Sequence, residues 1–400
     1  MRKSFNKLSV QTFEESSLRM KPLHIRPEIE LLLSCGRINI DTEKAERIKA
    51  LLQEDINWDY LIRTASHQGL IPLLYRNLRS ICPEYVPENI LDQLQRDFYA
   101  NTWHNLFLTG ELFKLLDLFN KHGIPAIPYK GPVLAVFVYG DIALRRFNDL
   151  DILVHKHNVI KVRDLLRSNG YQPCRELIGK QRNAFIQFEY ACSFVRNDVK
   201  AIVDLHWKIT LSHHSFPFDQ DQLWADLEPI PVEGKEIMSF SLENWLLFLC
   251  LHGSTIHAWE QLGLICDLAN LIDLYKDIDW ERIIHQTERL GWRRMFFLGL
   301  YIASDLLEVT LPEEILRRVH GDPVVKSLAA KTYKRLFSES SCRSNSLVEG
   351  SGFFFFFRIM FFLKMRERFR DKLRYCFYYL LRSIQVFRYR GLKPLGRLLR

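Results

Sequence analysis

The feature that most constrains the fold is a change of hydrophobic period between about residues 123 and 210. On either side of this stretch, from about 41 to 122 and again after Ser241, apolar residues recur at helical spacing. Within it, short apolar runs separated by turn residues read in the order strand, helix, strand, helix, strand, strand. The sequence therefore predicts an α+β fold, with a small mixed β-sheet between N-terminal and C-terminal helical regions.

Four regions follow from this pattern. They are an N-terminal helical region at 1–122, an α/β core at 123–240, a C-terminal helical region at 241–340 and a basic aromatic tail at 341–400. The apolar fraction of 48% and the charged fraction of 26% are typical of a soluble globular protein. The eight cysteines include no C-x-x-C pair, and residues 1–25 lack the apolar segment of a secretory signal. We therefore expect reduced thiols in a cytoplasmic protein.

The positive charge of the chain is concentrated in its tail. Residues 351–400 hold 13 Lys or Arg but only Glu367 and Asp371, a net charge of +11, whereas the whole chain carries +8. Aromatic residues are interleaved with these bases, a composition that suits an amphipathic helix on an anionic membrane. The alternative is a helix whose aromatic face packs on the body of the protein. A nucleic-acid partner is not expected, because no RNA-binding fold accompanies the tail.

Asp149 and Asp151 are the residues whose pattern points most directly to chemistry. They lie two apart in the strand-like run 149–154, so both side chains leave the same face of the predicted sheet. Two carboxylates on one face suit a hard divalent cation such as Mg2+, with Mn2+ as the alternative ion. Asp204, in another apolar strand of the same sheet, is the expected third acid. Such a set of acids supports phosphoryl or nucleotidyl transfer.

An Asp-x-Asp pattern is common, and this chain contains two more, at 219–221 and 277–279. Those two lie near predicted helix starts and are interpreted as solvated or capping acids. The pair at 149 and 151 opens a strand and follows a Gly-turn-helix unit, which favours a metal site over a surface pair.

Four further residues are predicted to bind the nucleotide. Lys130 and Gly131 end the first strand and can present a positive charge and a helix N-terminus to phosphates. Arg145 and Arg146 can hold phosphate oxygens, although a salt bridge to Asp141 or Asp149 is an equal alternative. His206 is interpreted as a packed or hydrogen-bonded strand histidine rather than a base, and His252 as a satisfied core histidine of a helix.

Several segments together resemble a known family. The segments are Lys130-Gly-Pro-Val-Leu-Ala135, Tyr139-Gly-Asp, Arg145, Asp149-Leu-Asp-Ile-Leu-Val154, Val203-Asp-Leu-His-Trp207 and Leu251-His-Gly253 with Trp259, Leu262 and Asp267. They resemble the uncharacterised bacterial nucleotidyltransferase family of the DNA-polymerase-beta-like superfamily, over about residues 30 to 310. The resemblance implies that superfamily's sheet, Mg2+, an NTP, and Asp149, Asp151 and Asp204 as metal ligands. One departure is Gly131-Pro132, which stands where the wider superfamily has Gly-Ser.

The sequence thus predicts a Mg2+-dependent enzyme that moves an NMP from an NTP to an acceptor hydroxyl and releases pyrophosphate. A non-catalytic nucleotide-binding protein on the same scaffold is the main alternative. A metal-dependent glycosyltransferase is a weaker one, because that class builds a strand-rich half before its Asp-x-Asp motif, whereas the first 120 residues here are helical in pattern. The acceptor and the choice of nucleotide do not follow from the residues.

Overall fold

The computed structural model describes residues 25–176, 185–187, 189–209, 220–337 and 352–377. Its first part is helical, as predicted. The five helices are α1 (Pro27–Ser34), α2 (Thr42–Leu52), α3 (Trp58–Gln68), α4 (Ile71–Ile81) and α5 (Glu88–Lys121). Asp41 and Asn57 are the N-caps of α2 and α3, since their side chains accept hydrogen bonds from first-turn amides. The long helix α5 ends just before Gly123, whose φ of +64° favours glycine.

A five-stranded sheet follows. The elements of this part are β1 (Ala126–Pro128), α6 (Gly131–Tyr139), β2 (Leu150–Val154), α7 (Val159–Ser168), β3 (Gln172–Pro173), β4 (Ala191–Arg196) and β5 (Ala201–His206). The strand order is β1-β2-β5-β4-β3. Only the β2–β5 pair is parallel, and the other neighbours are antiparallel. The sheet is therefore mixed, as predicted, and the proline-containing strand β1 lies at its edge.

The register of the two central strands follows from their apolar residues. In β5, Ala201, Val203 and Leu205 are buried on one face, which places Asp204 on the other. The parallel register sets Asp151 directly beside Asp204. A shift of one residue would turn the apolar side chains of β5 away from the core, so burial fixes this pairing.

Two details of the sheet region differ from the prediction. The sequence from Phe185 to Phe194 is typical of the third predicted strand, but residues 185–187 are helical and β4 begins only at Ala191. A second hairpin, β6 (Leu227–Val232) and β7 (Lys235–Phe240), was not predicted. Strand β6 was missed because Pro229 and Pro231 are more typical of a loop than of a strand. Its alternate residues Ile230 and Val232 are nevertheless buried. The short helix α8 (Gln220–Ala225) precedes this hairpin.

The C-terminal region is helical, as predicted. Its helices are α9 (Leu242–His252), α10 (Leu262–Leu274), α11 (Trp280–Leu290), α12 (Arg293–Leu307), α13 (Glu313–Gly321) and α14 (Pro323–Leu336). A π-helical turn, Gly253–His257, extends α9. Asp279, from one of the other two Asp-x-Asp patterns, caps α11 as expected. Buried apolar residues of all these parts form one continuous core, so the division into four regions stays a prediction.

Two helices of the tail are described, α15 (Gly352–Met365) and α16 (residues 369–377). Phe361, Phe362 and Tyr375 are buried against the body, which agrees with the alternative that aromatic residues of the tail pack inward. Phe369 and Phe377 remain exposed. Among the described residues, no helix combines the length and the apolar character that a membrane span needs. The cytoplasmic location stays a prediction.

Candidate active site

The strands β2 and β5 bring two of the predicted acids together. Asp151 is the second residue of β2 and Asp204 the fourth residue of β5, and their Cα atoms are partners in the parallel register. Because they are direct neighbours on the same face, their carboxylates project side by side. His206, two residues after Asp204, projects from that face as well.

Asp151 is a buried carboxylate held by two donors. Lys130 Nζ and His206 Nε2 donate hydrogen bonds of 2.8 Å and 2.9 Å to the same oxygen, Asp151 Oδ1. Burial raises the pKa of Asp151, but the charge of Lys130 and the contact with His206 outweigh it and hold the pKa below its usual value. Asp151 therefore stays ionised, with its second oxygen outside these two hydrogen bonds.

Three side chains form a group that has the donor spacing of a metal site. One ligand atom each from Asp151, Asp204 and His206 lies within 4.8 Å of the others. Within the described part of the chain, Asp204 Oδ1 and His206 Nδ1 are buried without a hydrogen-bond partner. A buried carboxylate oxygen without a partner is costly, and a divalent cation would satisfy it. The donors present thus fit such an ion, and Asp149 is not part of this group.

Asp149 lies one residue before β2 and is partly buried. Burial and the negative charge of Asp151 raise its pKa from 3.8 to about 6, against the opposing effect of Lys130. The charge of Asp204 acts in the same direction as that of Asp151. The charges of Asp151 and Asp204 thus both raise the pKa of Asp149. The role of Asp149 as a metal ligand stays a prediction.

The turn from Lys130 into α6 is shaped by Gly131. This residue has a φ of +55°, and a Cβ there would lie 3.3 Å from the carbonyl oxygen of Asp149. Glycine is needed both for the left-handed backbone and for this close approach. The N-terminus of α6 is thereby held next to the strand that carries the acids. The roles of Lys130 and Gly131 in nucleotide binding stay predictions.

The two arginines have different environments. The Arg145 guanidinium forms a bidentate pair with Asp267 of α10, at 3.1 Å, and Tyr139 Oη donates a 2.8 Å hydrogen bond to the same carboxylate. Arg145 thus forms a salt bridge, which was one of its two predicted roles, but the partner is Asp267 rather than Asp141 or Asp149. Arg146 is exposed and donates to the carbonyl of Ser66 in α3. Phosphate binding by either arginine stays a prediction.

Two histidines lie at or near the site. His206, interpreted as a packed or hydrogen-bonded strand histidine, is buried and hydrogen-bonded to Asp151, and it is also one of the three grouped donors. The period-2 rule places it on the face of Asp204, and this was the available signal. His252 ends α9, and its Nε2 lies 3.1 Å from Nε2 of His257, which agrees with a satisfied core histidine. Burial and the charge of Lys130 lower the pKa of His252, so it lies near the site.

We expect Asp149 to give the metal-free protein a specific pH dependence. Its pKa is higher in the folded protein than the ordinary 3.8, so its contribution to stability is full below about pH 4 and is lost as the pH rises through about 6. Asp149→Asn should remove this contribution, which is at most about 3 kcal/mol. Urea unfolding in EDTA between about pH 4 and pH 7 measures the difference between the two proteins. If the free energy of unfolding depends on pH in the same way in both proteins, the raised pKa of Asp149 is contradicted.

Comparisons with known proteins place this geometry in context. No curated protein matches the sequence. Among solved structures, the lincosamide antibiotic adenylyltransferase LnuA with lincomycin bound is 19% identical, with a TM-score of 0.29, and the match covers 42% of this chain and 97% of that one. An antigenic nucleotidyltransferase-like protein from Paracoccidioides brasiliensis is 16% identical, with a TM-score of 0.33, and covers 56% and 96%. Both TM-scores are below 0.5, so neither similarity supports a conclusion about substrate.

The family comparison is more extensive. Residues 54–308 match the model of a family described as "Uncharacterised nucleotidyltransferase". This match spans well over half of the chain and contains α5, the five-stranded sheet, the grouped donors and α10. The chain therefore belongs to this family of nucleotidyltransferases.

Proposed function

We propose that the protein transfers an NMP from an NTP to an acceptor hydroxyl, releases pyrophosphate and requires a divalent cation, with Mg2+ as the expected ion. The observation that carries the proposal is the pair Asp151 and Asp204, adjacent on parallel strands, with a buried Asp204 oxygen that has no hydrogen-bond partner among the described residues. Family membership supports the reaction class.

Asp151 and Asp204 would hold the ion, with Asp149 as the further predicted ligand and His206 as the fourth donor close by. A divalent cation supplies charge neutralisation for the triphosphate in this chemistry. The carboxylate oxygens suit both Mg2+ and Mn2+. The imidazole of His206 suits Mn2+ better than Mg2+, because Mn2+ is the softer ion. We therefore expect Mn2+ to support the reaction as well.

The residues around the acids have separate roles in this proposal. Lys130 places its ammonium beside Asp151 and adds positive charge where the polyphosphate would lie. The N-terminus of α6, opened by Gly131, offers backbone amides to phosphate oxygens. Pro132 contributes no amide hydrogen, so this helix start has one donor fewer than a Gly-Ser sequence would provide.

The transfer itself balances simply. An acceptor oxygen forms a bond to the α-phosphorus while the bond from that phosphorus to the pyrophosphate oxygen breaks. The proton of the acceptor hydroxyl goes to the Asp204 carboxylate, through the oxygen that does not bind the cation. The helices after residue 240 border the site, since Asp267 of α10 binds Arg145, and they would form part of the acceptor pocket.

The test is a labelling experiment. Purified protein is incubated with each α-labelled NTP, Mg2+ and a cell extract as the source of acceptor, in parallel with Asp149→Ala/Asp151→Ala. We expect transfer of label by the natural protein alone. Transfer that survives the double substitution would contradict the site. NTP binding by calorimetry without any transfer would favour the non-catalytic alternative.

A further inference from the structure

The helix α16 is attached to the body by one face. Tyr375 is buried, and the Arg366 guanidinium lies 4.2 Å from the centre of its ring. Arg368, just before the helix, donates hydrogen bonds to the carbonyls of Glu288 and Arg289 at the end of α11. The orientation of α16 is therefore fixed, and its opposite face is turned outward.

That outward face carries an apolar stripe. Phe369, Leu373 and Phe377 follow each other at four-residue intervals, so they lie in one row along the helix. Their exposed fractions are 73%, 54% and 64%. In the described part of the chain, the only other large apolar side chain more than half exposed is Trp103. A contiguous row of this kind indicates a binding surface rather than scattered exposure.

Basic residues border the stripe on both sides. At 100° per residue, Arg370 and Arg374 lie along one edge and Lys372 along the other. Among residues that the structure describes, none of the three has an ion-pair partner. The nearby acids are turned to the body, since Glu367 pairs with Arg293 at 2.6 Å and Asp371 lies next to Gly291. The outward face is thus apolar in its centre and positively charged at its edges.

We propose that α16 binds the surface of an anionic lipid bilayer. The stripe would enter the boundary between headgroups and acyl chains, while Arg370, Arg374 and Lys372 reach the phosphates of the headgroups. Each base near such a surface adds to the electrostatic attraction. This arrangement brings the protein to a membrane without spanning it, and it is independent of the transfer reaction.

The charge distribution argues against the other partners. Two copies that met through this stripe would bring six bases together without an acid between them. A single-stranded nucleic acid would need flat aromatic platforms along a groove, whereas Leu373 separates the two phenyl rings on a convex helix. A lipid surface satisfies both the apolar centre and the basic edges.

The experiment is flotation of the full chain with lipid vesicles. We expect it to float with phosphatidylcholine vesicles that contain about a third phosphatidylglycerol, to stay unbound with phosphatidylcholine alone, and to dissociate at high salt. The variant Phe369→Ser/Leu373→Ser/Phe377→Ser should reduce the bound fraction at least about tenfold. Arg370→Gln/Arg374→Gln should weaken the binding and its salt dependence.

The matched control removes three exposed apolar side chains elsewhere. Tyr99, Trp103 and Phe107 lie on one face of α5, and their change to Ser should leave flotation unchanged. Circular dichroism verifies that each variant is folded. Substitutions are preferable to truncation, because removal of the tail would also remove the buried residues Phe361, Phe362 and Tyr375.

Three results would overturn the proposal. The first is a full chain that stays unbound with the anionic vesicles, or a stripe variant that floats as well as the natural protein. The second is a dimer in sedimentation velocity that the stripe variant abolishes, in the absence of flotation. The third is binding of a single-stranded oligonucleotide that the arginine variant abolishes, again without flotation.

Discussion

Asp151→Asn is expected to lower the rate of nucleotidyl transfer by roughly a thousandfold or more, since the change removes a negative charge that would hold the divalent cation. Asn keeps the size of the side chain, and its carbonyl can still accept hydrogen bonds from Lys130 and His206. The charge that attracts the cation is lost, and the ammonium of Lys130, 19% exposed, no longer has its anionic partner. Isothermal titration with Mn2+ and initial rates of label transfer measure the two effects.

Asp277→Asn is the matched control for this substitution. It makes the same chemical change in another Asp-x-Asp sequence, at an exposed position before α11. We expect the metal affinity and the transfer rate of this variant to equal those of the natural protein.

The free energy of unfolding of Asp151→Asn should fall by about 1–3 kcal/mol, because a buried charged hydrogen bond is weakened. Natural transfer by a folded Asp151→Asn protein would refute the assignment of the catalytic acids.

The two aspartates show how far local pattern carries a prediction. The two-residue period predicted that Asp149 and Asp151 leave one face of their strand, and Asp204 was predicted in another apolar strand of the same sheet. The direct pairing of Asp151 with Asp204 could not be predicted, since strand order and register depend on contacts between distant segments. Sequence spacing therefore identified the residues, whereas tertiary packing determined which of them meet.

His206 and Asp149 show the limit from the other side. The same period placed His206 beside Asp204, but its contact with Asp151 requires the parallel β2–β5 register, which periodicity does not contain. Asp149 shares its sequence pattern with Asp151, yet it precedes the strand and lies outside the group of three donors. Whether Asp149 joins the three donors depends on distances of a few ångströms. These distances depend on where β2 begins, which the two-residue period does not determine.

Asp267→Ala is expected to lower the free energy of unfolding by about 3–5 kcal/mol, because it leaves a buried arginine without its anion. Arg145 is 14% exposed and Asp267 is 2% exposed, so water can replace the lost partner only in part. Tyr139 would lose its acceptor as well. Urea unfolding of the variant and the natural protein measures the change, and a loss below about 1 kcal/mol would contradict the importance of this pair.

Replacing the whole network separates structure from function. The variant Tyr139→Phe/Arg145→Met/Asp267→Leu removes the buried polar groups together, and apolar side chains of similar size should restore most of the stability. Both quantities are compared with those of Asp267→Ala. If Arg145 only joins α10 to the loop before β2, the KM for the NTP should return to its natural value together with the stability. If Arg145 also binds phosphate, as the sequence predicts, the stability should return while the KM stays high. The two measurements on one protein thus decide whether this arginine belongs to the nucleotide site.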